Sequence, residues 1–301
     1  MYNELVYLIY GTLRLKGYGV ANTNKLLSML SGNRDVSSDR ESVAIKLKAF
    51  LEKELLKQQL GEDIALKKIL VTAKNKNVSF LTVLDSGYPV FLKQSLKNNT
   101  PPIISLIGNQ TLLNNNKVGF CGSRKASQKG LDVAKDCATQ LSELNVAVVS
   151  GYASGVDLQT HYWALKSGGS TIIVLPEGIN KFYVKKELKD VWDWNRVLVI
   201  SEFEPNDIWS TGRAMQRNNT IIALSNAMIL IEAGEKGGSI DAGNKTLKLN
   251  KFLFAPIYEG MPPYAIGNGL LLNKGAYPIM KSARTSQANL TQVFKAVQVS
   301  G

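Results

Sequence analysis

The chain has 301 residues, 45% of them apolar, enough for a large buried core in one or two domains. No apolar run approaches the roughly 20 residues of a spanning helix, and Glu4 interrupts the positively charged start of a secretory signal. A cytoplasmic protein with no membrane partner is therefore expected. The net charge is +12, from 36 Lys and Arg against 24 Asp and Glu, which favours a polyanionic partner over a neutral or cationic one. With one histidine and two separated cysteines, Cys121 and Cys137, the chain lacks the ligands of a zinc site and reads as having two core thiols rather than a disulfide framework. No metal and no cofactor is called for.

Residues 1 to about 75 read as helical, from the apolar spacing of Leu5, Leu8, Ile9 and Leu13 and later of Ile45, Leu47, Phe50, Leu51 and Leu55. Between the first two helices lies LKGYGVANTNKLL, residues 15–27, whose Gly17-x-Gly19 turn fits either a helix-hairpin-helix, with backbone N–H groups for a DNA phosphate, or a plain helical hairpin. Residues 78–116 hold Tyr88-Pro89, Pro101-Pro102 and a polar Leu113–Asn116 run, and read as a linker leading into a sheet. Residues 1–116 carry 15 basic and 9 acidic side chains, a balance of +6; the remaining +6 lies beyond. The basicity thus supports nucleic acid without locating it, and pairs such as Lys67-Lys68 and Lys185-Lys186 read as solvated faces.

From Lys117 onward, continuous apolar runs alternate with helix-length segments. They are KVGFCGSR at 117–124, VAVVSGYASGVD at 146–157, STIIVLPEG at 170–178, RVLVISEF at 196–203, AMILIEA at 227–233 and KFLFAP at 251–256. Uninterrupted runs of this length imply strands buried on both faces of a parallel sheet. The expected fold class is therefore α/β, a doubly wound, mostly parallel, Rossmann-like sheet preceded by a small helical domain. The expected boundaries are 1–77 helical, 78–116 linker, 117–282 sheet domain and 283–301 helical tail.

In such sheets ligands sit outside the carboxyl ends of the strands, where glycine turns and helix N-termini meet anions. Gly122-Ser123-Arg124, the turn 150–155 and Gly237-Gly238-Ser239 are the candidate phosphate turns, although glycine at such junctions also serves tight turns and helix packing. The single histidine, His161, stands four residues after Asp157. A Ser-His-Asp arrangement with Ser150 or Ser154 is conceivable, but local bonds that fix the helix start are the stronger reading.

These strings, in this order, resemble the DprA (Smf) DNA-processing family. The likeness runs over about residues 80–280 and rests on Tyr88-Pro89, Pro101-Pro102, Gly122-Ser123-Arg124, Ser150-Gly151-x-Ala153-x-Gly155-Val156-Asp157, His161, Ala164-Leu165 and Gly168-Gly169. It continues through Ser201-Glu202, Arg217-Asn218, Ile231-Glu232-Ala233, Gly238-Ser239 and Gly275-Ala276. The resemblance implies an extended Rossmann domain that binds and protects single-stranded DNA without sequence preference, and that loads a RecA-type recombinase in transformation or recombination, as a homodimer and without catalysis. It also implies that residues 1–77 match the family's small helical (SAM-like) domain. The chain departs from the family's Phe-Pro-x-Arg-Asn-Arg segment with Ala214-Met215-Gln216-Arg217-Asn218-Asn219, and from its Tyr-Pro with Tyr183-Val184. With these departures it resembles a divergent member.

The candidate cations for a single-strand groove are Arg124, Arg217 and Lys245; Gly122, Ser123, Ser150, Gly151, Ser154, Gly155, Asn218, Gly238 and Ser239 supply backbone or side-chain donors, and Tyr152, Tyr183 and Trp209 are candidate stacking rings. Each ring could equally be partly buried core. In the common doubly wound order the first and fourth of the six runs are neighbours, which would let Arg124 pair with Glu202 instead. The alternative function is a nucleotide sensor or a phosphoribohydrolase of the LOG type, whose opening FCGSR resembles; the LOG Gly-Thr and spaced Glu are missing from residues 232–239.

Overall fold

The computed structural model describes residues 3–32, 40–61 and 63–299. The chain divides into two compact units: residues 1–107 with 177–182 and 200–209, and residues 108–176 with 183–199 and 210–301.

The smaller unit opens with four helices, α1 (Glu4–Arg14), α2 (Val20–Leu30), α3 (Arg40–Lys57) and α4 (Ile64–Asn75). Side-chain caps start α1 and α4: Asn3 accepts the N–H of Val6 and Asp63 that of Leu66, satisfying amide donors that a helix start leaves open. Their inward faces close one core around Ile9, Tyr10, Leu27, Val43, Leu47, Leu66 and Leu70. Burying each such side chain contributes roughly 1.5–3 kcal/mol. Ile45, expected in that core from its spacing, faces solvent. The ion pairs of Arg14 with Asp63 and Glu204 draw the ends of α1 and α4 together.

Residues 78–116 are more than a linker. They form β1 (Ser79–Thr82), the short helix α5 (Val90–Leu96) and β2 (Ile103–Gly108). β1 and β2 pair antiparallel, Phe80 opposite Ser105 and Leu81 opposite Ile104. The Tyr88 hydroxyl donates to the Pro101 carbonyl at 2.6 Å, so the two proline-containing strings quoted above meet in space.

The larger unit carries β3 (Lys117–Cys121), α6 (Gln128–Glu143), β4 (Ala147–Ser150), α7 (Val156–Lys166), β5 (Thr171–Val174) and most of β6 (Val197–Ser201). It continues with α8 (Thr211–Leu224), β7 (Ala227–Leu230), α9 (Gly238–Lys248), β8 (Phe252–Pro256), α10 (Ile266–Asn273), β9 (Tyr277–Ile279) and α11 (Thr291–Val299). Its strands make a mostly parallel sheet in the order β6-β5-β4-β3-β7-β8-β9. β3 pairs in parallel with both β4 and β7. Every residue of β3, β4, β5 and β7 is buried, which is why these strands read as unbroken apolar runs.

The order corrects one expectation. β6, the fourth of the six expected runs, lies three strands from β3, so the adjacency that would have brought Arg124 to Glu202 does not exist. The chain moves outward from β3 through β4, β5 and β6, then returns to the other side of β3 as β7. β3 and β7 therefore flank the point where the winding reverses, where a doubly wound sheet leaves a crevice. The 283–301 tail includes α11, whose Val293, Ala296 and Val297 join the same core as Val118 and Phe120.

Candidate functional site

The crevice is real: a cleft of about 330 Å³ opens at the carboxyl ends of β3 and β7. Gly122, Ser123 and Arg124 line it from the turn after β3, and Ala153 and Asp157 from the turn and helix after β4. Thr211, Met215, Arg217 and Asn218 come from α8, Glu232 and Lys236 from the segment after β7, and Gly238 and Ser239 from the start of α9.

Backbone packing holds the first two turns together. Gly155 has φ +75°, and a Cβ there would collide with the Ser123 carbonyl and the backbone of Arg124. Only glycine combines that dihedral with so close an approach. The adjoining Val156 N–H donates to the same Ser123 carbonyl at 3.2 Å. Asp157 accepts from the Ser150 hydroxyl at 2.8 Å and from the Ala153 N–H at 3.2 Å, fixing the second turn onto α7.

His161 fixes that turn from below. Its Nε2 lies 2.6 Å from the Gly151 carbonyl and its Nδ1 2.6 Å from the Thr171 hydroxyl. A carbonyl only accepts, so Nε2 carries the proton, while Nδ1 faces the Thr171 hydroxyl, which also lies 3.0 Å from the Val148 carbonyl. Burial pushes the His161 pKa down to about 4; Lys185 and Arg217 push the same way, and the Gly151 bond and Asp157 oppose them. The ring is therefore neutral at pH ~7. Both its nitrogens are engaged away from Ser150, whose hydroxyl sits on Asp157, so the side chains do not form a Ser-His-Asp relay.

Arg217 is only 6% exposed. Its guanidinium lies against Gly151, where any Cβ would overlap it. A buried cation thus faces the cleft floor, and its charge is felt at Cys121, whose thiol burial and Asp157 raise to about 12 while Arg217 pulls it down.

Of the residues expected at the site, the cleft gathers Gly122, Ser123, Arg124, Arg217, Asn218, Gly238 and Ser239. Ser150 and Gly151 are buried beneath it, bonded to Asp157 and His161. Gly155 serves the packing just described, and the Ser154 hydroxyl is exposed beside the Arg124 carbonyl. Lys245 is not in the lining; it pairs with Asp241 at 2.9 Å within α9. Tyr152 and Tyr183 meet outside the cleft, where the Tyr152 hydroxyl donates to the Tyr183 carbonyl at 3.2 Å. Lys185, read as merely solvated, donates to the Tyr152 carbonyl at 2.6 Å and lies 4.5 Å from the centre of its ring. Tyr183 is 66% exposed. Trp209, 46% exposed, belongs to the smaller unit.

Three contributors escaped the sequence. Glu232 is fully buried and accepts from the backbone N–H and the hydroxyl of Ser127, the cap of α6. Its signals in the sequence were an acid ending an apolar run and the Ile231-Glu232-Ala233 string, neither of which gave it a role. Lys236 adds an exposed cation from a segment read for its glycines. Asn268, buried in α10, accepts the Ala233 N–H and donates to the Ile231 and Pro256 carbonyls, bracing the backbone on either side of Glu232. Among the described residues no group of three or more His, Cys, Asp or Glu is arranged to hold a metal ion, and no helix is long and apolar enough to cross a membrane.

The family model for DNA recombination-mediator protein A matches residues 79–289, well over half of the chain. The chain belongs to this family. DNA processing protein DprA of Bacillus subtilis is 27% identical over 217 residues, 71% of this chain and 72% of that protein. DprA of Streptococcus pneumoniae is 32% identical over 176 residues, 58% of this chain and 61% of its own length. The solved structure of S. pneumoniae DprA superposes with a TM-score of 0.71 over 92% of this chain and 94% of that one, at 24% identity. DNA processing protein A of Helicobacter pylori, solved for its single-stranded DNA binding mode, gives a TM-score of 0.59 over 74% of this chain and 94% of that one, at 24% identity. Both share the DprA fold.

Proposed function

We propose that this DprA-family chain binds single-stranded DNA without sequence preference, holding backbone phosphates in the cleft between the turns after β3 and β7. The observation that carries the reading is the convergence of an exposed arginine, Arg124, and a buried one, Arg217, with the glycine turns at the point where the sheet reverses its winding. A guanidinium presents parallel N–H donors that fit two oxygens of one phosphate, and Gly122 and Gly238 let backbone amides come close. The exposed Tyr183 and the half-buried Tyr152 offer π-faces on which any base can stack. The net charge of +12 supplies attraction that does not depend on sequence. The single-stranded DNA binding of the H. pylori relative supports the same reading.

In this reading the chain protects the strand and hands it to a RecA-type recombinase during transformation or recombination, acts as a homodimer in the cytoplasm, and catalyses nothing. Fluorescence anisotropy with labelled single-stranded and duplex oligonucleotides of equal length, and with mononucleotides as competitors, tests it. Tighter binding of the single strand and weak competition by mononucleotides are expected. Equal affinity for the duplex contradicts base stacking, and strong mononucleotide competition turns the assignment to a nucleotide sensor or LOG-type enzyme.

A further inference from the structure

In a doubly wound sheet the usual seat for the phosphate of a free nucleotide is the N-terminus of the helix that follows the first crossover strand. Here the first parallel crossover leaves β3 into α6, and that seat is filled from within the protein. Ser127, which caps α6 by accepting the Gly130 N–H at 3.0 Å, gives its own N–H to Glu232 at 2.9 Å and its hydroxyl to the same carboxylate. Glu232 is fully buried, yet lines the cleft. Gly130 lies against it, and a Cβ at that position would overlap the carboxylate. The next helix start carries a carboxylate of its own, because Asp157 stands in the first turn of α7 and holds the Ala153 N–H and the Ser150 hydroxyl of the preceding turn. Both helix starts thus already hold a carboxylate.

We infer that Glu232 is a specificity-determining residue that keeps the doubly charged phosphates of free nucleotides, and pyrophosphate, out of the cleft. Its carboxylate takes the N–H and the hydroxyl of Ser127, the residue that caps α6, and sets a negative charge where such a group would settle. A phosphate within a DNA strand carries one charge, has two ester oxygens and is spread along the cleft, so it can rest on Arg124 and Arg217 without reaching α6. Exclusion falls on terminal and free phosphates while the polymer is admitted. This rests on the proposed binding of single-stranded DNA for its biological sense, though not for its test.

The test is calorimetric titration of inorganic pyrophosphate into the wild-type chain and into Glu232→Gln, Glu232→Ala and Glu232→Asp, with a labelled oligothymidylate measured in parallel and folding checked by thermal melting. Wild type and Glu232→Asp, which keep the charge, are expected to bind pyrophosphate weakly. Glu232→Gln and Glu232→Ala are expected to bind it about tenfold or more tightly, the scale of a freed helix N-terminus. Folded Gln and Ala variants with no gain overturn the inference, as does a gain in Glu232→Asp equal to that in Glu232→Ala, which would make the effect one of packing. Should the neutral variants fail to fold, the wild-type titration still decides: tight pyrophosphate binding that displaces oligothymidylate refutes exclusion, and weak binding without displacement supports it. Failure of wild type to bind oligothymidylate removes the proposed function and leaves the pyrophosphate comparison standing.

Discussion

His161 is the chain's single histidine, so its titration can be isolated. In the folded chain burial pushes its pKa down to about 4, whereas an unfolded histidine titrates near ~6.5. Between those values the unfolded state holds more protons than the folded one. The contribution of His161 therefore falls as pH drops through that window and is fully present above it. From pH ~6.5 to ~5 the gap is about 1.5 units, and at about 1.36 kcal/mol per unit the loss is about 2 kcal/mol. Replacement by Gln removes the titration and weakens the bonds to the Gly151 carbonyl and Thr171 hydroxyl, at a cost of about 1–3 kcal/mol near pH ~7. The assay is urea unfolding of wild type and His161→Gln from about pH 7 to about pH 5. The variant is less stable at the upper end, and the difference narrows by about 2 kcal/mol at the lower. Parallel stability curves would show that His161 titrates alike in both states and would refute the buried neutral ring.

Gly151→Ala places a methyl group on the Arg217 guanidinium; single-strand affinity should fall by roughly 1–3 kcal/mol, read by anisotropy, and unchanged affinity would remove Arg217 from the phosphate site. Gly155→Ala combines φ +75° with a collision against the Ser123 backbone and should cost about 3 kcal/mol or more in urea unfolding. Gly168→Ala, at φ +79° but in open space, should cost only about 1 kcal/mol; equal losses would mean that strain, not the approach of the two turns, governs Gly155. Tyr183→Ala should leave the melting temperature unchanged, given 66% exposure, and weaken single-strand binding by about 1–3 kcal/mol; unchanged affinity would exclude that ring from stacking.

The six sheet runs could be read from the sequence because burial on both faces leaves no polar alternation to interpret. β1 and β2 could not, since β1 is a short strand with three of its four residues only partly buried and Pro101-Pro102 precedes β2. β9 is three residues with Pro278 in the middle and two of them exposed, a pattern that signals a loop. Strand order was hidden for a different reason: apolar runs state that strands are buried, not on which side of β3 the chain returns. At the site, the glycine turns and Arg217-Asn218 were visible as strings, and the turns meet because β3 and β7 are neighbours. Asn268 was not, and Glu232 stood only inside Ile231-Glu232-Ala233 without a role, because a buried acid or amide acquires meaning only from partners such as Ser127, 105 residues away. The link between Tyr152 and Lys185 is likewise a tertiary contact, 33 residues apart.

If the cleft holds the phosphates of a single strand, the slope of log affinity against log salt counts them. Each contacted phosphate contributes about 0.7 to that slope for single-stranded nucleic acid. For a cleft of this size the wild-type magnitude should lie between about 2 and 5. Arg124→Ala should lose roughly 1–3 kcal/mol of affinity without a change in melting temperature, Arg124→Lys should recover only part of it, and the slope of Arg124→Ala should be smaller by about 0.7. A flat wild-type salt response, or an Arg124→Ala variant that binds oligothymidylate with wild-type affinity and slope, would contradict a phosphate site at this turn.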